Sequence, residues 1–340
     1  MSNIFLKSIT FVINNFIMSR ILTGIQSTGT PHLGNILGAI IPAIKMANNE
    51  KNESFLFIAD LHSLTQIKDA EQLIHNTYAT AAAWLSFGLD TNKTVFYKQS
   101  DVPVATELSW ILSCHFPFQR LTLAHSFKDK SDRLSDVNAG IFAYPMLMAA
   151  DILLYDADIV PVGNDQQQHL EITRDVASRF NNIHGKTFVL PFPKINKNSK
   201  HVPGTNGEKM SKSKGNILDI FLSEKDLKKQ IMSIETNSTP IDEPKDFKNC
   251  NVFAIYSLIA DQKLIENMKQ NYMRGGYGYG HAKKELLRFI LLRFNAERKK
   301  FNYYMNNLHE IDFVLNIGAK KASKVANDVV KRVRNKLGFN

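Results

Sequence analysis

The stretch Arg20-Ile-Leu-Thr-Gly-Ile-Gln-Ser-Thr-Gly-Thr-Pro-His-Leu-Gly-Asn35 decides the fold. Its first six residues read as a buried strand, the glycines and proline as a turn, and a helix starts near Leu33 and runs to about Asn48. The same alternation recurs downstream. Phe55-Leu-Phe-Ile-Ala-Asp60 reads as a strand followed by a helix over roughly 69–87. Thr94-Val-Phe-Tyr-Lys-Gln99 reads as a strand with a helix from about Val104 to Cys114, and Ile159-Val-Pro-Val-Gly163 as a strand feeding a helix from about Asp165 to Phe180. Units of this spacing imply right-handed crossovers and an α/β fold with a doubly wound parallel sheet. Ligands of such sheets sit at the C-terminal strand ends, where Gly24, Asp60 and Gly163 are expected to gather. Residues 181–216, punctuated by Pro191, Pro193, Pro203, Gly204, Gly207 and Gly215, read as loop. Beyond 223 the pattern is helical, broken at Arg274-Gly-Gly-Tyr-Gly-Tyr-Gly280.

A chain of 340 residues suits one large domain plus a smaller one and needs no covalent staple. Its two cysteines, Cys114 and Cys250, form no CxxC pair and join no Cys/His cluster, which argues against a disulfide framework or zinc module and for a reducing, cytoplasmic compartment. No uncharged apolar run of about 18 residues appears, so no membrane partner is expected. Residues 1–18 read as an N-terminal extension, disordered or arising from an overcalled start. They lack a secretory cleavage pattern and the arginines of a transit peptide. The net charge of +10 resides in the last 90 residues, where 17 basic side chains face seven acidic ones. That is the footprint of a polyanion-binding region, or a solubilising lysine-rich surface.

Two motifs carry chemistry. Gly24 to Asn35 is neither GxGxxG nor a P-loop, yet its glycines let a ligand approach the backbone, and the helix start that follows favours phosphate. His32 there can donate to a phosphate oxygen, and Gly34 leaves a flat surface for a purine. In Gly207-Glu-Lys-Met-Ser-Lys-Ser-Lys-Gly-Asn216, two lysines three apart suit a leaving pyrophosphate whose charge grows in the transition state. Taken singly, each also reads blandly, as a glycine-rich turn and as a solvated basic loop. A third feature lies in Phe142-Ala-Tyr-Pro-Met-Leu-Met-Ala-Ala-Asp-Ile-Leu-Leu-Tyr155. Tyr144, Met148 and Asp151 share one helical face there, and the lone carboxylate needs a donor such as an indole N–H or a neighbouring arginine.

His32-Leu-Gly-Asn35 and, about 175 residues later, Lys209-Met-Ser-Lys-Ser213 together resemble the paired motifs of class I aminoacyl-tRNA synthetases. Met148-Ala-Ala-Asp151-Ile-Leu-Leu-Tyr155 and Val160-Pro-Val-Gly163-Asn-Asp-Gln-Gln-Gln-His169 make the likeness specific. With the lysine loop they resemble bacterial-type tryptophanyl-tRNA synthetase over about 20–338, including Gly318-Ala-Lys-Lys-Ala-Ser323. The resemblance implies a Rossmann-like catalytic domain over 19–220 and a C-terminal α-helical, anticodon-binding domain over 221–340, whose last helix packs back on the catalytic domain. It implies that Asp151 recognises the indole nitrogen of L-tryptophan, with Tyr144, Met148, His62 and Gln166 lining the pocket. ATP contacts fall on Gln26, Ser27, Thr28, Gly34, Asn35, Gly163, Asn164, Asp165 and Val202, and on Lys209, Met210, Ser211, Lys212 and Ser213 of the loop. His32, Lys130, Lys209 and Lys212 become the charge-stabilising catalytic groups. ATP with Mg2+, tRNA(Trp) and a cytoplasmic homodimer complete the expectation. The chain departs from many relatives at Ser27, where they carry proline, at Asn164, often glutamate, and in the length of the loop before Lys209.

The rivals are distinguishable. A tyrosyl-tRNA synthetase needs a pocket built around a phenol hydroxyl, which the Asp151 segment argues against. A small-molecule nucleotidylyltransferase has no use for a 90-residue basic tail. A non-catalytic RNA-binding relative would need neither loop lysine.

Overall fold

The structure, a computed structural model, describes residues 19–49, 51–124, 137–163, 166–195 and 202–339. Lys130, Asn164, Asp165 and the extension 1–18 lie outside them. Strand β1 (Ser19–Ile25) leads into helix α1, a turn at Leu33–Asn35 that continues as a π-helical stretch, Ile36–Ile40, and an α-helical one, Ile41–Ala47. The sequence predicts an uninterrupted helix here. Pro42 has no N–H to return to the carbonyl of Gly38, and the wider π turn accommodates that missing bond. There follow β2 (Asn52–Ile58), α2 (Asp60–Ser63), α3 (Ala70–Ser86), β3 (Thr94–Lys98) and a 3-10 turn at Gln99–Asp101. Next come α4 (Val104–His115), α5 (Phe118–Leu121), α6 (Ala139–Leu153), β4 (Ile159–Val162), α7 (Gln167–His184) and β5 (Phe192–Ile195).

The strands form one parallel sheet in the order β3-β2-β1-β4-β5. Strand β5 falls inside the stretch that the prolines mark as loop. It pairs only with β4, and an edge strand tolerates Pro193 because one of its flanks needs no donor. The order reverses between β1 and β4, so a crevice opens past their C-terminal ends, at Gln26 and Gly163. Of the three residues expected at those ends, Gly163 borders that crevice. Gly24 instead makes room for the Phe57 ring, which a Cβ would strike, and Asp60 accepts from Ser100.

Side chains alternate across the sheet and seed two cores. Leu56, Ile58 and Phe96 face one core with Leu33, Ile36 and Trp84, whereas Phe55, Phe57 and Tyr97 face the other with Leu108, Met146 and Phe180. After the lysine loop the chain is helical: α8 (Glu224–Met232), α9 (Asn251–Ile259), α10 (Gln262–Arg274), α11 (Tyr279–Arg293), α12 (Asn295–Asn306) and α13 (Leu308–Leu337). Helix α13 joins both cores. Ile311 and Leu315 enter the first, and Ala322, Ala326, Val329 and Val333 enter the second. It changes side at Gly318, against the backbone of Phe96 in edge strand β3, so the helix shields an edge that would otherwise be open. Tyr78 donates to Asp312 at 2.6 Å, and Arg334 to Glu107 at 2.7 Å, fastening the helix along its length.

Helix propensity alone would favour alanine over glycine at 318 by about 1 kcal/mol. A Cβ there would run into the Phe96 carbonyl, which cannot retreat without breaking the sheet. Gly318→Ala is therefore expected to destabilise the protein by about 3 kcal/mol in urea or thermal unfolding. A variant as stable as the parent would contradict this crossing.

Candidate active site

The crevice at the strand reversal is a cavity of about 1210 Å³. Its lining brings together Gln26, Thr28, His32, Gly34, Asn35, Gly163, Val202, Lys209, Met210, Ser211, Lys212 and Ser213, residues separated by up to 187 positions in the chain. Ser27 departs from the expectation. It is fully buried, its N–H donating to Ser63 Oγ at 3.0 Å and its hydroxyl 3.1 Å from the same oxygen, so its side chain faces the protein and not the cavity. Threonine and serine side chains need partners when buried, and Ser63 with Thr77 supplies them.

The start of α1 fixes the chemistry of His32. Asn35 N–H donates to His32 Nδ1 at 3.3 Å, and Asn35 Oδ1 accepts from His32 N–H at 3.2 Å. With Nδ1 an acceptor, the ring proton sits on Nε2. Burial, then the nearby Lys212 charge, lowers the imidazole to about 4, so at neutral pH His32 is an uncharged Nε2–H donor.

The lysine loop lies down on this helix start. Gly34 N–H points at Met210 Sδ, 3.3 Å away, and the Lys212 ammonium donates to Gly29 O at 2.7 Å. Gly29 has φ +129°, a backbone that favours glycine, and the Lys212 side chain passes directly over it. Gly34, expected to offer a flat surface, has that side bordered by His32 and Met210. Met210 N–H donates to Val202 O at 3.0 Å, and buried Asn216 closes the loop through Ser211 N and Lys209 O. Burial pushes the Lys212 ammonium down to about 8, with Asp219 opposing. Lys209 is exposed at the rim.

A second site lies around Asp151, which α6 buries to 4% exposure. His62 Nε2 meets its Oδ2 at 2.9 Å, and Gln99 Nε2 lies 2.8 Å from both oxygens. His62 N–H donates to Gln99 Oε1 at 3.3 Å, which fixes the amide so that its NH2 faces the carboxylate. Burial pushes the Asp151 carboxyl upward, while the bonds from His62 and Gln99 pull it back. Gln99 donates to both oxygens and His62 Nε2 lies against one of them, which leaves the carboxyl group a lone-pair position to spare. The His62 ring stands 4.2 Å from that of Tyr144, which in turn is 5.5 Å from His169. Met148 packs half-buried against the second core, and Gln166 is the N-cap residue just before α7, its N–H donating to Gly163 O at 3.0 Å.

Helix α2 joins the two sites, since Ser63 holds Ser27 and His62 holds Asp151. Gln99 and His169 were not singled out from sequence. A polar side chain ending the buried strand β3 was the one available signal for Gln99. Among the described residues no group of three His, Cys, Asp or Glu side chains is placed to hold a metal, and no helix is long and apolar enough to cross a membrane.

Residues 18–295 match the family model described as tRNA synthetases class I (W and Y). The chain is 45% identical to the tryptophan–tRNA ligase of Campylobacter jejuni over 320 residues, 94% of this chain and 100% of the relative. It is 45% identical to that of Fusobacterium nucleatum over 323 residues, 95% of this chain and 98% of the relative. The crystal structure of the Campylobacter jejuni tryptophanyl-tRNA synthetase complexed with ADP and tryptophan superposes with a TM-score of 0.90, covering 94% of this chain and 99% of that one. With the Mycoplasma pneumoniae tryptophanyl-tRNA synthetase the TM-score is 0.78 at 26% identity, covering 95% and 99%. A family match over most of the length, on a parallel sheet whose crevice holds both motifs, places this chain among the class I tryptophanyl-tRNA synthetases.

Proposed function

We propose that the chain is a tryptophan–tRNA ligase that makes tryptophanyl-adenylate in the β1/β4 crevice and passes the aminoacyl group to tRNA(Trp). The observation that carries this reading is the buried Asp151 carboxyl group, contacted by His62 and Gln99, joined through α2 to a cationic cavity. Asp151 would accept the indole N–H, with Tyr144, Met148 and His62 as walls and Gln166 at the edge. The tryptophan carboxylate attacks the α-phosphorus of ATP, the bond to the bridging oxygen breaks, and pyrophosphate leaves. Gln26, Thr28, Gly34, Asn35, Gly163 and Val202 would seat the nucleotide. His32 Nε2–H and the Lys209 and Lys212 ammonium groups would take up charge as it grows on the leaving phosphates. Lys130, Asn164 and Asp165 are proposed for the same nucleotide from resemblance alone. Among the described residues the cavity lining is cationic and carries no carboxylate, and no step is routed through Mg2+.

On the same reading, residues 19–220 form the catalytic unit, and 221–340, where the net charge resides, meet the tRNA through phosphate contacts. Trp110 and Phe118 expose 72% and 64% of their surface on α4 and α5, which supports a homodimer. A cytoplasmic location is proposed with it.

Tryptophan-dependent ATP–pyrophosphate exchange tests the reading. Phenylalanine would leave the buried carboxyl group short of a donor and also lacks the second ring of the indole, and rejection by roughly 10⁴-fold is expected. In Asp151→Ala, tryptophan activation should collapse and the tryptophan-to-phenylalanine ratio should narrow. Wild-type selectivity retained by the variant would make Asp151 a structural carboxylate.

Lys212→Ala is expected to lower the exchange kcat by about 10²-fold with little change in ATP affinity. The charged ammonium is the active form, and its value near 8 sets the pH window. kcat/KM for ATP should hold below that pH and fall as pH rises through it. Lys212→Arg, which stays charged, should lose this alkaline limb. Superimposable profiles for wild type and Lys212→Arg would contradict the assignment.

A further inference from the structure

The segment Leu218–Leu222, which follows the lysine loop, is gripped from two sides. On one side Leu33 N–H, in the first turn of α1, donates to Leu218 O at 2.8 Å. On the other side α12 supplies two adjacent contacts. The Arg298 guanidinium donates to the carbonyls of Ile220 and Leu222, the latter at 2.9 Å, and one turn further the Phe301 ring stacks on Phe221 with centroids 3.9 Å apart. Between these grips Asp219 is buried, its backbone N–H held by Gln230 and its carboxylate accepting from Phe221 N–H at 2.8 Å. The lysine loop is thus suspended from a strip of backbone whose place is set jointly by the ATP-side helix and by a helix of the basic region.

The fork is suited to this use. A guanidinium presents several donors in one rigid plane, so it can fix the separation of two carbonyls, which an ammonium cannot. The strip begins at Leu218, two residues beyond Asn216, whose side chain closes the loop. A shift of the strip therefore carries the loop with it. Asp219 and Arg298 attract one another, and Asp219 also draws the Lys212 charge, so the same strip brings a carboxylate toward the loop.

We infer that Arg298 is a positioning residue for adenylate formation: acting from α12, it fixes the strip 218–222 and so sets where Lys212 stands over the phosphate cavity. This rests on the ligase reading above. It makes α12 one point, beside the Glu235 N–H bond to Thr205 O, at which the tRNA-facing region is joined to the loop, with no side chain of α12 needed in the cavity itself. A displacement of about 1 Å at a charge-stabilising group costs on the order of 10²-fold in rate, so a loosened strip should be visible in kcat.

The test compares wild type with Arg298→Ala and Arg298→Lys in tryptophan-dependent ATP–pyrophosphate exchange, with tryptophan affinity measured by equilibrium binding. Arg298 touches no residue of the Asp151 site, so both variants should bind tryptophan as the parent does. The exchange kcat should fall by about 10-fold or more in Arg298→Ala, with KM for tryptophan unchanged, and partly recover in Arg298→Lys. Should Arg298→Ala fail to bind tryptophan because it does not fold, Arg298→Lys alone decides: a lowered kcat at unchanged tryptophan affinity supports the inference. A kcat within twofold of wild type in a variant that binds tryptophan normally would overturn it and leave the ligase reading standing. Absence of tryptophan-dependent exchange in the wild type would overturn both.

Discussion

Asp151 is a carboxyl group with almost no access to water, and three polar contacts from His62 and Gln99 hold it there. Those contacts come from α2 and from the turn after β3, so one buried carboxyl group ties α6 to the ends of two neighbouring strands. An unpaired charge in such a place would cost several kcal/mol, and the fold answers by converging His62 and Gln99 on it. The supporting turn is braced in its own right. Asp60, expected at the ligand end of the sheet, accepts from the Ser100 N–H and hydroxyl and so locks the residue after Gln99. A pocket built this way has its acceptor fixed before any substrate arrives, and such preorganisation makes a hydrogen bond selective.

The second half of the chemistry follows the opposite rule. The cavity proposed for the phosphates gathers positive charge with, among the described residues, no carboxylate in its lining, and it does so with a loop rather than the sheet. Lys212 borrows the Gly29 carbonyl, Met210 rests on Gly34, and the strip behind them is clamped by α1 and α12. The buried carboxyl group and the lysine charge therefore occupy different supports, and α2 connects them through Ser63 and His62. Helix α13 holds the whole together by crossing the edge of β3 at Gly318.

Much of this was legible in the sequence because it is local. Apolar runs of strand length, the glycine-punctuated turn before Leu33 and the helical face of Tyr144, Met148 and Asp151 all follow from short-range periodicity. The paired motifs then located the crevice. What could not be read depends on contacts between distant segments. Strand β5 was hidden by its prolines, because only its place at the sheet edge makes Pro193 tolerable. The π-helical stretch answers a single missing N–H. Ser27 turns inward because Ser63 and Thr77 happen to be there to receive it. Gln99 is 52 residues from Asp151, and nothing in Tyr97-Lys-Gln-Ser-Asp101 announces its partner. Arg298 looks like one more charge in a basic helix until its carbonyl partners are seen.

On the ligase reading, the Asp151 carboxyl group keeps one acceptor position for an indole N–H. The most direct measurement compares tryptophan with 3-benzothienylalanine, in which sulfur replaces the ring N–H while shape is kept, in wild-type ATP–pyrophosphate exchange. A hydrogen bond to a buried charge is worth about 1.5–3 kcal/mol, so kcat/KM should favour tryptophan by roughly 10²-fold. Equal kcat/KM for the two amino acids would contradict the account.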